Sequence, residues 1–333
     1  MRDTFVTLYR YGWLMVIAIG YKSAYQYWDK ANPRQRGLAF ASTRSIPIKP
    51  YSEVEIRDAC SALLLDVPVD VIVSSPNHRH ASNKARAHLA SKRFNKGDFY
   101  SCGTDILVAA PELCYFQLAR GLSIPKAALL ALEMCGGFST QHILGRVIER
   151  EPLTSIDRLR KCAKRRYAKN SESSAYRALR WVVDGSMSPM ESALFLALCL
   201  PPRYGGFSIP FPELNVRIEL SEQLMRMAHK HHLKGDLVWR KERLVVEYNS
   251  DQEHTGGLRI AQDARRINAL KHAGYNTIVV TKRQLQEAED IALLAQQLAR
   301  ILGKRLAPSE TRQYALRHKL YAEIFPWWTY VGI

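Results

Sequence analysis

The sequence predicts an α/β protein whose last third is an α-β-β-β-α-β core, preceded by a separate α+β region. In residues 186–303, short β-branched and aliphatic runs bounded by turn residues alternate with helical segments. Capping residues and helix-ending glycines mark where those helices start and stop. The chain has 333 residues and is 47% hydrophobic, which is enough to build buried cores.

Residues 1–68 are expected to form a small N-terminal domain. The segments Ser23–Trp28 and Glu53–Leu65 read as helices. The apolar run Leu14–Ile19 reads as a buried strand or helix, because a bilayer span needs about 20 apolar residues. We therefore expect no membrane association.

Residues 69–185 are expected to form a middle α/β domain with basic helices. Val69–Val73 and Ile106–Ala110 are apolar runs typical of strands. The segments that read as helices are Glu112–Arg120, Lys126–Cys135, Thr140–Arg146 and the very basic Asp157–Arg180, the last interrupted near residues 171–174.

Residues 186–303 contain the predicted core, and residues 304–333 form a tail expected to pack on it. The predicted strands are Val216–Leu220, Asp236–Arg240, Arg243–Tyr248 and Thr277–Val280, with a tight turn at Lys241–Glu242. The predicted helices are Ser188–Leu200, Leu258–Ala273 and Leu285–Leu302. Gly274 ends the second of these helices, because glycine readily adopts the left-handed backbone that closes a helix.

The charge balance favours a polyanionic partner. Lys and Arg number 48 against 31 acids, a formal net charge of +17. Nucleic acid is the commonest polyanion, and we expect DNA, with RNA as an alternative. A basic protein that is merely soluble also satisfies the charge. Six cysteines without CxxC spacing favour reduced thiols in a cytoplasmic protein over structural zinc.

Asp236 and Glu247 are the candidate catalytic pair. Both lie within apolar segments predicted to be adjacent strands, where an uncompensated carboxylate is costly. A hard divalent cation such as Mg²⁺ or Mn²⁺ offsets that cost and accepts carboxylate oxygens as ligands. The alternative is that both acids face solvent or pair with arginines.

The residues after Glu247 carry a family resemblance. The string 247–254 reads EYNSDQEH, and the following helix carries Asp263, Arg266 and Leu270 before Gly274. In order and spacing this resembles the PD-(D/E)XK nucleases, especially the branch related to very-short-patch repair endonucleases. The resemblance covers about residues 186–303. It implies a restriction-endonuclease-like fold and a metal-dependent DNA endonuclease in defence, repair or mobile-element biology.

The resemblance assigns roles to individual residues. Asp236 and Glu247 would be metal ligands, and His254 would assist proton transfer at the phosphate. Glu191 matches the acid often found on the preceding helix. The residues Ser188–Glu191 also form a capping box, so Glu191 is equally explained as a cap of the helix N-terminus. Arg266 has an alternative as a surface partner of Asp263.

Asn249 departs from the family pattern. The lysine or aspartate of the E-x-K motif is Asn249 here, and an amide supplies no charge. Arg259, Lys241 or Arg266 could substitute. Otherwise the protein could be a non-catalytic, antitoxin-like DNA-binding regulator with a degenerate nuclease core. The layout of the N-terminal two thirds weakly resembles AbiEi-type antitoxin-related proteins.

Basic residues are the candidates for contact with the nucleic-acid backbone, because Lys and Arg neutralise phosphates without sequence preference. For any one of them a solvated helix face is the alternative. The candidate residues are Arg158, Lys161, Lys164, Arg165, Arg166, Lys169, Arg259 and Arg266.

Overall fold

The structure is a computed structural model of the chain. It describes residues 16–30, 48, 50–79, 82–90, 94–102, 105–140, 147–166, 173–228, 231–249, 257–306 and 311–325, without the side chains of 227–228, 257–263 and 311. The chain forms two compact units. Unit 1 comprises Met1–Gly121 and Asp157–Tyr176, and unit 2 comprises Leu122–Ile156 and Arg177–Ile333.

Unit 1 is built on a mixed sheet with the strand order β3-β2-β1-β5-β4 among the described residues. Its strands are β1 (Ile17–Ile19), β2 (Val69–Val73), β3 (Ala85–Leu89), β4 (Phe99–Ser101) and β5 (Ile106–Ala109). Strand β1 is fully buried, antiparallel to β2 and parallel to β5. The expected boundary at residue 68 therefore falls inside one sheet.

The helices of unit 1 are α1 (Tyr21–Lys30), α2 (Glu53–Leu63), α3 (Pro111–Leu118) and most of α5 (Ile156–Arg166). Trp28 fixes α1 on the sheet, since its buried ring donates a hydrogen bond to the Ala109 carbonyl at 2.6 Å. Helix α2 begins with a capping box at Ser52 and ends where Leu64 turns left-handed, at φ 54°. Helix α5 buries Leu159, Cys162 and Ala163, so most of its basic residues face outward.

Unit 2 contains the predicted α-β-β-β-α-β order, confirmed with one extra helix. In chain order its elements are α4 (Ile124–Cys135), β6 (Phe138–Ser139), β7 (Ile148–Glu149), α6 (Ser174–Ala178, shared with unit 1), α7 (Pro189–Cys199), β8 (Glu213–Glu219), α8 (Glu222–Ala228), β9 (His232–Trp239), β10 (Leu244–Asn249), α9 (Gly257–His272), β11 (Asn276–Thr281), α10 (Lys282–Gln286), α11 (Ala288–Ile301) and α12 (Thr311–Ile324). Helix α8 lies between the first two core strands and was not predicted.

The main sheet of unit 2 has the order β11-β10-β9-β8 in the part of the chain that the structure describes. Strands β8, β9 and β10 are antiparallel neighbours, whereas β10 and β11 are parallel. Val216 and Ile218 from β8, Val238 from β9 and Val245 from β10 pack with the buried Ala269–Leu270 pair of α9. This cluster fixes α9 on one face of the sheet.

Helix α7 is buried over its whole length from Glu191 to Cys199, as expected of an apolar run that starts at Ser188. The expected single helix Leu285–Leu302 is instead two helices, α10 and α11, separated at Glu287, whose backbone is extended. The expected helix Thr140–Arg146 lies outside the described residues apart from Thr140, and the aromatic end of the tail does so from Pro326 onward.

Two further expectations concern cysteines and membranes. The six cysteines are all free thiols, and four of them are buried. Within the described ranges, no helix has both the length and the apolar content needed to cross a bilayer.

Candidate functional site

Three buried acids lie together in unit 2. Asp236 is on β9, Glu247 is on β10 and Glu191 is on the first turn of α7. Their exposed fractions are 8%, 4% and 7% respectively, so none of them is an ordinary surface carboxylate. The alternative in which Asp236 and Glu247 face solvent is thereby excluded.

The strand register places Asp236 and Glu247 beside each other. Val245 pairs with Val238 and Val246 with Leu237, so the next step along the strands sets Glu247 opposite Asp236. Directly opposed residues on antiparallel strands project to the same face. The Asp236 side chain also links β9 to β10, because its Oδ2 atom accepts a hydrogen bond from the Tyr248 backbone N–H at 2.8 Å.

Arg266 on α9 extends its guanidinium to both acids. Its Nη2 atom lies 3.6 Å from Asp236 Oδ1 and forms an ion pair with Glu247 Oε2. The same nitrogen donates to the Lys234 backbone carbonyl at 2.8 Å, which fixes its position at the sheet. A single cationic atom therefore contacts carboxylates from two neighbouring strands. The alternative considered from the sequence, a surface pair of Arg266 with Asp263, falls on a side chain outside the described residues.

Glu191 caps helix α7 and also lies within electrostatic range of Asp236. Ser188 caps α7 by accepting a hydrogen bond from Glu191 N at 3.1 Å, and Ser188 Oγ donates to Glu191 Oε1 at 3.0 Å. Oε2 accepts from the Met187 backbone N–H at 3.0 Å and from the Asn215 side-chain amide. The same carboxylate interacts electrostatically with Asp236. Glu191 is thus a helix cap whose charge also acts on the acid cluster.

Burial makes the charged forms of these acids unfavourable. It raises the pKa of Glu247 to about 8, an effect increased by the Asp236 charge and opposed by Arg266. Burial also raises the pKa of Glu191 to about 7, again with a contribution from Asp236. The pKa of Asp236 is raised by burial, against the opposing effects of the Tyr248 N–H and Arg266. All three shifts have the same leading cause, desolvation.

Glu247 is poorly supplied with hydrogen-bond donors among the described residues. Neither of its buried carboxylate oxygens accepts a hydrogen bond of good geometry there, although the Asp236 backbone N–H has a small lowering effect on the pKa of Glu247. Arg266 and Glu247 form an ion pair, but their relative orientation is not that of a hydrogen bond. A buried carboxylate without donors is costly, and a bound cation is one way to reduce that cost.

The donor set suits a hard divalent ion in its chemistry, because the oxygens of Asp236, Glu247 and Glu191 are the ligand type that Mg²⁺ and Mn²⁺ prefer. As the side chains stand, however, no group of three or more His, Cys, Asp or Glu residues among those described is close enough to hold an ion. The guanidinium of Arg266 lies between two of the acids instead. A metal ion would have to take the place of that guanidinium.

The other motif residues contribute less. Asn249 ends β10, pairs with Thr281 of β11 and is half-buried. His254 lies outside the described residues. Asn215, which sequence reasoning missed, adopts a left-handed backbone at φ 50° inside β8 and contacts Glu191 through its amide. Asn tolerates that conformation better than most residues, but nothing in the local sequence marks the position.

The basic residues expected to bind phosphate divide into two groups. Arg158 forms an ion pair with the buried Glu112 at 2.7 Å, and Arg166 forms one with the buried Asp98. These two arginines neutralise acids of unit 1, which departs from the expected role in binding a nucleic-acid backbone. Arg165 donates to the Lys96 carbonyl at 3.3 Å, while Lys161 and Lys164 are exposed. Lys169 and the side chain of Arg259 are outside the described residues.

Comparison of the chain with protein-family models, with curated proteins and with solved structures finds no match.

Proposed function

We propose that unit 2 is a divalent-metal-dependent endonuclease that hydrolyses phosphodiester bonds in DNA. The observation that carries the proposal is the convergence of the buried Asp236 and Glu247 on one cationic atom of Arg266. Neither Glu247 oxygen accepts a hydrogen bond of good geometry from the described residues. Buried acids gathered around a cation in this way are typical of sites for charged ligands. The net charge of +17 suits a polyanionic substrate.

Asp236 and Glu247 are the residues that would hold Mg²⁺ or Mn²⁺, with Glu191 as a further acid nearby. When bound, such an ion polarises the phosphate and lowers the pKa of a water molecule. Arg266 supplies the positive charge that Asn249 cannot, because a planar guanidinium can donate two parallel hydrogen bonds to phosphate. His254 keeps its proposed role as proton donor or acceptor at the phosphate. A role in defence, repair or mobile-element biology follows from the family resemblance.

A second candidate is a non-catalytic DNA-binding regulator with a degenerate nuclease core. Two observations favour it. Asn249 stands where the family has a charged residue, and the Arg266 guanidinium already supplies a positive charge to both acids. In this case the ion pairs would be structural, and binding to DNA would need no divalent ion.

A cleavage assay separates the two candidates. Plasmid and oligonucleotide substrates are incubated with the parent protein and with Asp236→Asn, in Mg²⁺, Mn²⁺ or Ca²⁺. Asn keeps an oxygen that can accept the Tyr248 N–H, so the fold is retained while the ligand charge is lost. We expect the Mg²⁺-dependent cleavage rate to fall by at least about a hundredfold. The matched control is Glu242→Gln, an exposed acid in the turn between β9 and β10.

Two outcomes contradict the endonuclease proposal. If Asp236→Asn cuts as fast as the parent, Asp236 is not a metal ligand in the reaction. If the parent binds DNA in EDTA and does not cut it in the presence of any divalent ion, the regulator is the better description.

A further inference from the structure

A cluster of aromatic rings and one arginine lies on the surface of unit 2, and we name it the arginine–aromatic patch (Trp181, Arg203, Tyr204 and Phe211). The Arg203 guanidinium carbon is 4.9 Å from the centre of the Tyr204 ring and 6.0 Å from that of Trp181. Phe211 packs edge-on against Trp181 at 6.0 Å and remains 40% exposed. The patch therefore presents a flat cation and an aromatic edge to solvent.

No acidic partner of the Arg203 guanidinium lies in the described part of the chain. Among the residues that the structure describes, it makes no ion pair and no side-chain hydrogen bond, only the two ring contacts. Arg177 adds positive charge beside it, since its Nη2 donates to the Tyr204 hydroxyl at 3.3 Å. Arg180, one residue before Trp181, is exposed. An uncompensated arginine with further arginines near it is complementary to an anion.

The turn that carries Arg203 and Tyr204 is held on two sides. Gly205 follows at φ 91°, and a Cβ there would lie 2.3 Å from the Leu316 carbonyl oxygen of α12. At Gly206 a Cβ would lie 2.1 Å from the Leu200 carbonyl oxygen. The backbone of the turn thus packs directly on its neighbours. A fixed turn presents the guanidinium and rings with little loss of conformational entropy on binding.

The same segment is tied to the strand that carries Asp236. The indole Nε1 of Trp239 donates to the Pro210 carbonyl at 2.8 Å, one residue before Phe211. Glu213, the first residue of β8, pairs with Val238, which is two positions from Asp236. Phe211 precedes Glu213 by two residues, so at most four residue positions separate Phe211 from the level of Asp236. At 3.3 Å per residue this is roughly 13 Å along the sheet. A nucleotide bound at the patch would therefore lie a short distance from the acid cluster.

We propose that the arginine–aromatic patch binds unpaired nucleotides, so that the preferred substrate is a single strand or a site where a duplex opens. This inference rests on the proposed nucleic-acid-cleaving function. Aromatic rings and arginine planes stack on the faces of bases, which are accessible only when the bases are unpaired, and the guanidinium also neutralises a phosphate. Stacking of this kind has little sequence preference.

Fluorescence anisotropy in EDTA tests the binding without any cleavage. The probes are labelled 20-mers of deoxythymidine and of uridine and a 20-base-pair duplex, with the parent, Arg203→Ala, Arg203→Lys and Phe211→Ala. We expect Arg203→Ala and Phe211→Ala each to weaken single-strand binding roughly tenfold. Arg203→Lys should recover only part of the loss, because lysine keeps the charge without the plane. The control is Tyr314→Ala, another exposed aromatic residue of unit 2.

The outcomes separate this inference from the nuclease proposal. If the parent binds single strands and the patch variants bind them equally well, or if the duplex binds more tightly, the patch has no such role while the nuclease proposal stands. If the patch variants lose single-strand binding but the parent never cuts, the patch stands and the nuclease proposal is wrong. Tighter binding of one 20-mer over the other identifies DNA or RNA as the source of the unpaired nucleotides.

Discussion

At the scale of single residues, the balance of charge around Arg266 decides how the acid cluster behaves. One guanidinium contacts Asp236 and Glu247, and Glu191 adds a third carboxylate within electrostatic range. A single positive charge compensates only one ionised carboxylate. The remaining acids must be protonated or meet another cation, in agreement with the raised pKa values of Glu191 and Glu247.

Replacing Arg266 by alanine tests this balance. We expect Arg266→Ala to lower the free energy of unfolding at pH 8 by about 2 kcal/mol, below the range for fully buried pairs because the arginine side chain is 32% exposed. The same change should increase the affinity for Mn²⁺, because the competing cation is gone. Chemical denaturation and isothermal titration calorimetry measure the two effects. Arg265→Ala, an exposed neighbour on α9, is the control.

An unchanged Mn²⁺ affinity in Arg266→Ala would mean that the guanidinium does not occupy the metal position. A loss of affinity would instead identify Arg266 as a residue that positions the acids.

At the scale of elements, the close approach of Gly205 to the backbone of α12 limits where that helix can pack. Gly205 and Gly303 both have positive φ, at 91° and 64°, so alanine costs about 1 kcal/mol of backbone strain at either. Of the two, Gly205 also faces a backbone atom, the Leu316 carbonyl oxygen of α12, whereas no described residue lies within 4 Å of a Cβ at Gly303. Alanine would therefore strain the backbone at both positions, but it would clash with a neighbouring helix only at Gly205.

We predict that Gly205→Ala lowers the free energy of unfolding by at least about 2 kcal/mol more than Gly303→Ala, because α12 or the turn must move. Urea denaturation of the two variants measures the difference. Equal losses would show that α12 adapts to the added methyl group without cost.

Elements with strong local patterns were predictable from the sequence, and those that depend on neighbours were not. Val69–Val73 and the paired strands around Asp236 and Glu247 contain runs of buried apolar residues, which are visible in the sequence. Strand β3, with the sequence ARAHL, has only its first residue fully buried, so its pattern is weak. It forms because its backbone pairs with β2 along five residues.

At the scale of the whole molecule, the division of the chain could not be predicted from composition. Unit 1 is assembled from Met1–Gly121 and Asp157–Tyr176, with a segment of unit 2 in between. Domain boundaries predicted from the sequence follow changes in composition along the chain, whereas a compact unit is defined by contacts between segments that are distant in sequence. The acid pair was predictable because both acids interrupt apolar strands. The contact with Arg266 was not, since it depends on how α9 lies on the sheet.

The stability of the folded chain should depend on pH through the buried acids. The pKa values of Glu247 and Glu191 in the folded state, about 8 and about 7, exceed the ordinary value of 4.5. A raised pKa contributes stability that is fully present below 4.5 and lost as the pH rises through the folded value. We therefore expect the Tm in EDTA to fall between pH 5 and pH 8.5, more steeply in the parent than in Glu247→Gln.

Differential scanning calorimetry of both proteins across this pH range checks the prediction. Subtracting the Tm of Glu247→Gln from that of the parent at each pH removes the contribution of the other titrating groups. Mn²⁺ added at pH 8.5 should raise the Tm of the parent more than that of Glu247→Gln. Parallel Tm curves for the two proteins would show that Glu247 does not titrate in this range.

The hydrogen bond from the Tyr248 backbone to Asp236 gives the buried cluster a signal that can be followed one atom at a time. In a ¹⁵N-labelled sample the amide resonance of Tyr248 reports directly on the charge of the carboxylate that accepts its proton. Any cation, proton or phosphate that reaches Asp236 will shift that resonance, so the arrival of a ligand can be recorded before a reaction has been found.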